Sequence, residues 1–288
     1  MTSRILEKTQ LSANVFRMKL DAPLVARARK AGQFVILRTD AEWAERIPLT
    51  IADADAEKGT IDIIFQAVGV STKRLAQLNA GDSLADLVGP LGKPTEILER
   101  RDRSPRPGEP APHVVIVGGG IGVAPAHPIA QAMKAAGNRV TVIIGARTKD
   151  LVIMEDEMRK VADELIVVTD DGSYGRKGLV TEPLKELCEK GAVDEVVVVG
   201  PPVMMKFCAL TTKPFGVKTV ASLNAIMIDG TGMCGGCRVT VGGKTRFVCV
   251  DGPEFDAHQV DFETFIRRLG AFRKEESEHK CRSGLFGK

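Results

Sequence analysis

Short apolar runs separated by glycines dominate the first 100 residues. The β-rich runs cover residues 3–9, 14–20, 33–38, 47–51, 60–68 and 83–88, with Gly32, Gly59, Gly81 and Gly89 between them. Short strands with turn residues at this spacing are typical of a small antiparallel barrel. One helix, at about residues 72–78, interrupts the series. We therefore predict an antiparallel β-barrel over residues 1–100.

The pattern changes at His113, where buried-type strands begin to alternate with helical segments. The strands are expected at residues 113–117, 139–144, 165–169, 195–199 and 218–221, and the helices at about 123–136, 151–162, 180–189 and 202–211. Strands and helices that alternate in this way form a doubly wound parallel sheet. The pattern predicts a five-stranded α/β domain over residues 113–223.

Three further segments complete the predicted organisation. Residues 101–112 are rich in proline and charge, and they cannot continue a helix or a central strand, so we predict a linker. Residues 224–252 concentrate glycine and cysteine, which indicates a small metal-binding module. Residues 253–288 mix acidic and basic side chains around one expected helix, at about 262–273, and are predicted to be a C-terminal tail.

Composition excludes several classes of protein. Hydrophobic residues make up 44% of the 288 residues, enough for packed cores. Aromatic residues are only 5%, and the net charge is +3, so we expect no nucleic-acid partner. No apolar run is long enough to span a membrane, and the N-terminus lacks the apolar core of a secretory signal. The expected location is therefore cytoplasmic, without membrane attachment.

The cysteines point to metal chemistry in one segment. A cytoplasmic chain keeps its thiols reduced, so a close group of cysteines indicates a metal site rather than disulfides. Three of the six cysteines lie within residues 234–249. We expect Cys188 and Cys208 to be small core residues and Cys281 to be an exposed thiol in the tail.

The spacing of the grouped cysteines predicts an iron–sulfur cluster. Plant-type [2Fe–2S] sites use Cys-x4-Cys-x2-Cys followed by a distant Cys. Cys234, Cys237 and Cys249 match the last three positions, and Asp229 stands at the first. We predict that these four side chains bind the cluster. A Cys3Asp zinc site is the alternative, and Asp229 could instead be an ordinary turn residue.

A glycine-rich loop after the first parallel strand predicts a phosphate site. Small residues let a phosphate approach a helix N-terminus, where N–H groups and the helix dipole favour anions. The candidate nicotinamide-dinucleotide contacts here are Gly118, Gly119, Gly120, Ile121, Gly122 and Pro125. Val123 stands where the third glycine of G-x-G-x-x-G would be. The alternative is a turn that merely packs the strand on the helix.

Other candidate nucleotide contacts follow later strands of the same sheet, at the edge where ligands bind in such folds. They are Gly145, Ala146, Arg147, Asp170, Asp171, Gly200, Pro201 and Met204. Carboxylates at 170 and 171 would disfavour a ribose 2′-phosphate, whereas Arg147 would favour one. We expect NAD(H) rather than NADP(H).

Two segments of the barrel are candidates for flavin contact. They contribute Arg46, Pro48, Leu49 and Thr50 from one strand and Gly69, Ser71 and Thr72 from the start of the short helix. An arginine can pair with a diphosphate, and hydroxyl and N–H groups at a helix start suit a phosphate. Each residue also has a simpler interpretation, as a helix cap or as a surface charge.

The chain resembles the ferredoxin–NADP reductase superfamily over about residues 1–260. The resemblance rests on the order of its parts: a barrel, a sheet domain with the sequence Gly-Gly-Ile-Gly-Val-Ala-Pro, and a cysteine module. The chain is similar to dihydroorotate dehydrogenase electron-transfer subunits and to small subunits of NADH-dependent reduced ferredoxin:NADP⁺ oxidoreductases. Asp229, at the first cluster position, and the run at 251–261 favour the second group. The superfamily's flavin motif, Arg-x-Tyr-Ser/Thr, aligns imperfectly, because Leu49 takes the aromatic place and Arg46 falls one residue early.

The resemblance implies an antiparallel FAD-binding β-barrel, a doubly wound parallel five-stranded NAD-binding sheet and a small C-terminal [2Fe–2S] module. It also implies a heterodimer with a larger subunit that has its own flavin and [4Fe–4S] clusters, binds NADP(H) and reaches ferredoxin. Electrons would pass between NAD(H), FAD, the cluster and that partner in an electron-bifurcating enzyme, with no catalytic acid or base. The tail at 253–288 is expected to contact the partner, with a solvated helix as the alternative. Other readings are the dihydroorotate dehydrogenase subunit and a zinc-stabilised binding protein.

Overall fold

The computed structural model describes residues 3–39, 44–98, 111–272 and 275, and the chain divides into two compact units. The barrel unit comprises Met1–Lys93, Asn224–Pro253 and Asp261–Lys288. The parallel-sheet unit comprises Pro94–Leu223 and Glu254–Val260. Most of the predicted linker at 101–112 lies outside the described residues.

Seven antiparallel strands form the sheet of the barrel unit, in the order β6-β1-β2-β5-β4-β3-β7. Its elements are β1 (Ser3–Ser12), β2 (Val15–Asp21), α1 (Pro23–Ala28), β3 (Phe34–Arg38), β4 (Ile47–Asp55), β5 (Thr60–Gln66), α2 (Val70–Gln77), β6 (Ser83–Leu84) and β7 (Asp86–Leu91). Alternate residues of β5, Ile61, Ile63 and Phe65, are almost fully buried because successive side chains of a strand point to opposite faces. The predicted antiparallel barrel is confirmed.

Three details of the barrel differ from the prediction. Helix α1 was not expected, and it begins at Pro23, whose fixed φ suits the first turn of a helix. Helix α2 begins at Val70, two residues before the predicted start. The run predicted as one strand at 83–88 is divided into β6 and β7, which pair with different strands.

The parallel-sheet unit is built around the five predicted strands, in the order β11-β10-β9-β8-β12-β13-β16. Its elements are β8 (His113–Gly119), α3 (Val123–Ala135), β9 (Arg139–Ala146), α4 (Glu155–Val161), β10 (Glu164–Thr169), β11 (Arg176–Lys177), α5 (Thr181–Glu189), β12 (Glu195–Val199), α6 (Pro202–Thr212), β13 (Lys218–Ser222) and β16 (Glu254–Asp256). The central strands are buried on both faces, as helices on either side of a parallel sheet require. The predicted doubly wound sheet is confirmed.

The two edge strands of this sheet were not predicted, so it has seven strands instead of five. Strand β11 has only two residues. Strand β16 comes from the segment predicted as a tail, and it pairs antiparallel with β13. Helix α4 begins at Glu155, four residues after its predicted start, because a short 3₁₀ turn and Met154 in a left-handed conformation precede it.

The cysteine module belongs to the barrel unit. It consists of a two-stranded hairpin, β14 (Arg238–Val241) and β15 (Lys244–Phe247), followed by α7 (Val248–Asp251). Gly230 passes so close to Ile36 and Leu91 of the barrel that a Cβ there would collide with them. The segment after the parallel-sheet strand β16 returns to the module as α8 (Phe262–Leu269), which ends four residues before the predicted end.

None of the helices among residues 3–39, 44–98 and 111–272 is both long and apolar enough to cross a membrane.

Candidate functional site

Two of the three grouped cysteines lie side by side in the barrel unit, and the third lies in the loop before them. Cys237 precedes β14 and Cys249 lies in α7, and both thiols are buried with their sulfur atoms 3.3 Å apart. Cys234 is exposed, and its sulfur accepts a hydrogen bond from the Gly236 N–H at 3.4 Å. Every cysteine in the described part of the chain is a free thiol, as expected for metal ligands.

Cys249 and Asp229 have pKa values shifted in opposite directions. Burial and the adjacent Cys237 thiol raise the pKa of Cys249 to about 12. Such a thiol ionises when a metal cation coordinates it. The carboxylate of Asp229 accepts hydrogen bonds from the Thr231 N–H at 2.6 Å and the Cys234 N–H at 2.8 Å. These hydrogen bonds hold the pKa of Asp229 below its usual range, and the bond from Thr231 has the largest effect. An anionic oxygen therefore faces the cysteine loop.

The backbone beside these sulfur atoms suits a two-iron cluster. Among the described residues, no three His, Cys, Asp or Glu side chains are grouped around one metal position. A [2Fe–2S] cluster distributes its ligands over two metal ions, and backbone N–H groups beside the sulfurs suit its anionic core. Both such groups are present, from Gly236 to Cys234 and from Cys249 to Cys237. The assignment of Asp229 as a ligand stays a prediction.

The predicted nucleotide loops meet at the carboxyl edge of the parallel sheet. The register pairs Gly118 with Val199 and Gly119 with Gly145, so the ends of β8, β9 and β12 are level with one another. Gly119 lies against Met204 at the start of α6. A Cβ on Gly122 would collide with the Val199 carbonyl oxygen, so the loop needs glycine there. The loop leads directly into α3, with Pro125 in the first turn.

The acidic pair after β10 is only partly available to a ligand. Asp171 accepts hydrogen bonds from the N–H and the hydroxyl of Ser173, which lower the pKa of Asp171 and fix it in a turn. Asp170 is exposed, with its N–H bound to the Ala146 carbonyl at 3.0 Å. The exposed Arg147 follows Ala146 along the chain, so a carboxylate and a guanidinium share this edge.

Sequence reasoning missed the aromatic residue at this edge. Tyr174 follows β10, and Lys149 lies over its ring at 5.4 Å from the centroid. The Tyr174 hydroxyl donates to Glu155 at 3.2 Å. The signal that was available is that Tyr174 is the only tyrosine in the sequence and follows a buried strand.

The predicted flavin segments also come together. The hydroxyl of Ser71 in α2 donates to Glu45, the residue before Arg46, at 2.6 Å. The Gly69 N–H donates to the Thr72 hydroxyl at 3.0 Å, so Thr72 caps its own helix. In β4, Thr50 pairs with Phe34 and Pro48 pairs with Ile36 of β3. Glu45 was not predicted, and its position means that a bound phosphate would compete with it for Ser71.

Two protein-family models match the chain. The iron–sulfur cluster binding domain of dihydroorotate dehydrogenase B matches residues 224–261. The oxidoreductase NAD-binding domain matches residues 116–209. These segments contain the cysteine module and four of the parallel strands.

Curated relatives match over nearly the whole chain. An uncharacterized protein from the adh 3′ region of Clostridium beijerinckii is 48% identical, over 96% of this chain and 92% of its own length. A dihydroorotate dehydrogenase B (NAD(+)) electron transfer subunit homolog from Thermotoga maritima is 45% identical, over 95% of this chain and 93% of its own length. The dihydroorotate dehydrogenase B (NAD(+)) electron transfer subunit of Fusobacterium nucleatum is 33% identical, over 89% of this chain and 96% of its own length.

Solved structures agree with these relatives. A chain of an NADH-dependent reduced ferredoxin-NADP oxidoreductase, solved to study flavin-based electron bifurcation, is 43% identical with a TM-score of 0.87. The match covers 97% of this chain and 98% of that one. A ferredoxin NADP⁺ reductase from Neisseria gonorrhoeae with bound FAD and NADP is 18% identical, with a TM-score of 0.58. The match covers 75% of this chain and 91% of that one, and it supports the fold alone.

Proposed function

This chain belongs to the family of dihydroorotate dehydrogenase B electron transfer subunits and their homologues, and we propose that it passes electrons between NAD(H) and a larger partner subunit through FAD and a [2Fe–2S] cluster. It is an oxidoreductase subunit. A flavin exchanges electrons singly and in pairs, so it links the hydride of NADH to a one-electron cluster. The chain's own residues bind and orient the carriers, and none serves as a catalytic acid or base.

We propose the following residues for each carrier. The cluster is held by Cys234, Cys237, Cys249 and Asp229. The FAD contacts are Arg46, Pro48, Leu49, Thr50, Gly69, Ser71 and Thr72. The NAD(H) contacts are Gly118, Gly119, Gly120, Ile121, Gly122, Pro125, Gly145, Ala146, Arg147, Asp170, Asp171, Gly200, Pro201 and Met204. The convergence of three strand ends supports the last group, since ligands of open α/β sheets bind at that edge.

One observation carries the choice of enzyme: the likeness to the NADH-dependent reduced ferredoxin-NADP oxidoreductase chain, which extends over 97% of this chain at 43% identity. We infer that this protein is the small subunit of an electron-bifurcating enzyme of that type. Its larger partner would contain a flavin and [4Fe–4S] clusters, bind NADP(H) and exchange electrons with ferredoxin.

The surface around the cysteine loop supports a protein partner. Met233 is 89% exposed and Ile228 is 57% exposed, and both belong to the loop that carries Cys234. Exposed apolar side chains beside an exposed cluster ligand suit an interface that excludes water between two redox centres. In the described part of the predicted tail, β16 pairs with β13 and α8 packs within this chain, and contact of the tail with the partner stays a prediction.

A second candidate is the electron-transfer subunit of an NAD-dependent dihydroorotate dehydrogenase. The match of residues 224–261 to that enzyme's cluster-binding domain and the description of the Thermotoga maritima relative favour it. Both candidates share the same path of electrons through this chain, and they differ in the partner subunit.

Anaerobic purification of a tagged chain from its own cells separates the candidates. The proposal predicts a co-purifying larger flavoprotein with additional iron, and reduction of NADP⁺ that requires both NADH and reduced ferredoxin. A partner that oxidises dihydroorotate would establish the second candidate. A colourless preparation that contains zinc but neither flavin nor iron would contradict both.

A further inference from the structure

One peptide group of the cysteine loop links a guanidinium to a cluster ligand. The carbonyl of Gly235 accepts a hydrogen bond from Arg238 Nη1 at 3.1 Å. The N–H of the same peptide group, on Gly236, donates to Cys234 Sγ at 3.4 Å. A cation on the carbonyl side of a peptide group makes its N–H a stronger donor, because hydrogen bonds in a chain polarise one another.

A second guanidinium binds the next peptide group of the loop. Arg268 Nη2 donates to the Gly236 carbonyl at 3.2 Å from a partly buried position. Its helix, α8, is anchored on the hairpin: the Asp261 N–H donates to the Thr240 carbonyl at 2.9 Å, and Phe265 is buried. Arg268 is therefore held in place by packing and does not simply lie against the loop as a free side chain.

We propose that Arg238 and Arg268 are positioning residues that set the reduction potential and the retention of the cluster. This inference rests on the proposed function. Reduction adds one negative charge to the cluster, so cations and N–H donors near its sulfurs stabilise the reduced form and raise the potential. Both arginines act through the Cys-Gly-Gly-Cys backbone, and neither is a metal ligand.

The arrangement also accounts for the return of the chain to the cysteine module after β16. A loop that holds a cluster must keep its ligands oriented, and groups outside the ligand sphere usually supply that restraint. Here α8 supplies one of the two guanidiniums. The C-terminal segment thus acts on the cluster from within the same chain, independently of any partner contact.

The test compares Arg238→Gln with Arg238→Lys and with Arg246→Gln. Arg246 is an exposed arginine of the same hairpin, so its variant makes the same charge change on that surface. Potentials are read from anaerobic redox titrations followed by electron paramagnetic resonance on the full-length protein. At the wild-type midpoint, Arg238→Gln should lower the ratio of reduced to oxidised cluster by about threefold or more, tenfold being about 59 mV for one electron. Arg238→Lys and Arg246→Gln should stay within about twofold of the wild type.

Arg268 is tested with Arg267→Gln as its control, because Arg267 lies on the same helix and its Nη2 donates to the Thr264 hydroxyl at 3.3 Å instead of to the cysteine loop. Arg268→Gln should lower the potential in the same direction and release iron to a chelator about threefold faster or more. Arg267→Gln should match the wild type in both measurements.

Each outcome has a defined meaning. A wild-type protein that holds no [2Fe–2S] cluster contradicts the proposed function itself. A wild-type cluster whose potential and iron-release rate are the same in Arg238→Gln, Arg268→Gln and the controls overturns only this inference. If Arg238→Gln loses its cluster on purification, retention by Arg238→Lys supports the inference, and loss from both variants overturns it.

Discussion

At the scale of single residues, Asp229 is the position at which two explanations compete. Its carboxylate binds the N–H groups of Thr231 and Cys234, which is what a turn residue does, and it is also an anionic oxygen at the first position of a cluster motif. The low pKa of Asp229 serves both roles. A carboxylate is a harder donor than a thiolate, so ligation by Asp229 would affect the spectrum and potential of the cluster.

Asp229→Asn and Asp229→Cys separate the two roles. Asparagine can still accept a backbone hydrogen bond in the turn but offers no anion, so we expect Asp229→Asn to lose at least half of its iron. Asp229→Cys should keep its iron and show a changed absorption and resonance spectrum. Thr231→Ala, which removes only a hydroxyl beside the carboxylate, is the control. Unchanged spectra and iron content in both Asp229 variants would show that Asp229 is not a ligand.

The buried carboxyl group of Glu254 should make the free energy of unfolding depend on pH. Burial raises its pKa from an ordinary value near 4.5 to about 7, against the hydrogen bond from Thr95 at 2.7 Å. The folded state then binds the proton more tightly than the unfolded state, so the free energy of unfolding falls as the pH rises from about 4.5 to about 7. The loss is on the order of 3 kcal/mol.

Urea unfolding of the wild type and of Glu254→Gln at about pH 5 and about pH 8 measures this loss. Glutamine cannot ionise, so the variant should be more stable relative to the wild type at the higher pH. Equal differences between the two proteins at both pH values would contradict the pKa of Glu254 given above.

At the scale of elements, the parallel strands and the barrel strands are predictable because burial repeats along each one. Strands β8 and β12 contain continuous apolar runs, and β5 places Ile61, Ile63 and Phe65 on one buried face. Strand β16 is not predictable in this way, because it has three residues and pairs with a strand more than thirty residues earlier along the chain. The contact of Arg238 with Gly235 depends on side-chain direction, which no pattern of residue types specifies.

The glycine loop after β8 gives a test at this scale. Gly122→Ala places a Cβ against the Val199 carbonyl, so β12 and α3 can no longer approach each other closely. We expect the Kd for NADH to rise at least about tenfold. Flavin and cluster spectra should not change, because the barrel unit has its own core. Unaltered NADH affinity, measured by fluorescence titration, would show that this loop does not bind the dinucleotide.

At the scale of the whole molecule, the order barrel, sheet and cysteine module indicates the function more strongly than any one motif. The sequence predicts all three carriers, and the relatives and family models agree. The division into units is less predictable: the barrel unit takes in the cysteine module and α8, and the parallel-sheet unit takes in residues 254–260. Contacts between residues far apart along the chain decide this division.

We propose that this chain alone carries electrons from NADH through a flavin to a [2Fe–2S] cluster. The most direct test is an anaerobic NADH titration of the purified chain, with absorbance and electron paramagnetic resonance recorded together. The claim predicts about one flavin and about two iron atoms per chain, bleaching of the flavin, and the signal of a reduced [2Fe–2S] cluster. A flavin that NADH does not bleach, or a bleached flavin beside a protein without that signal, would contradict it.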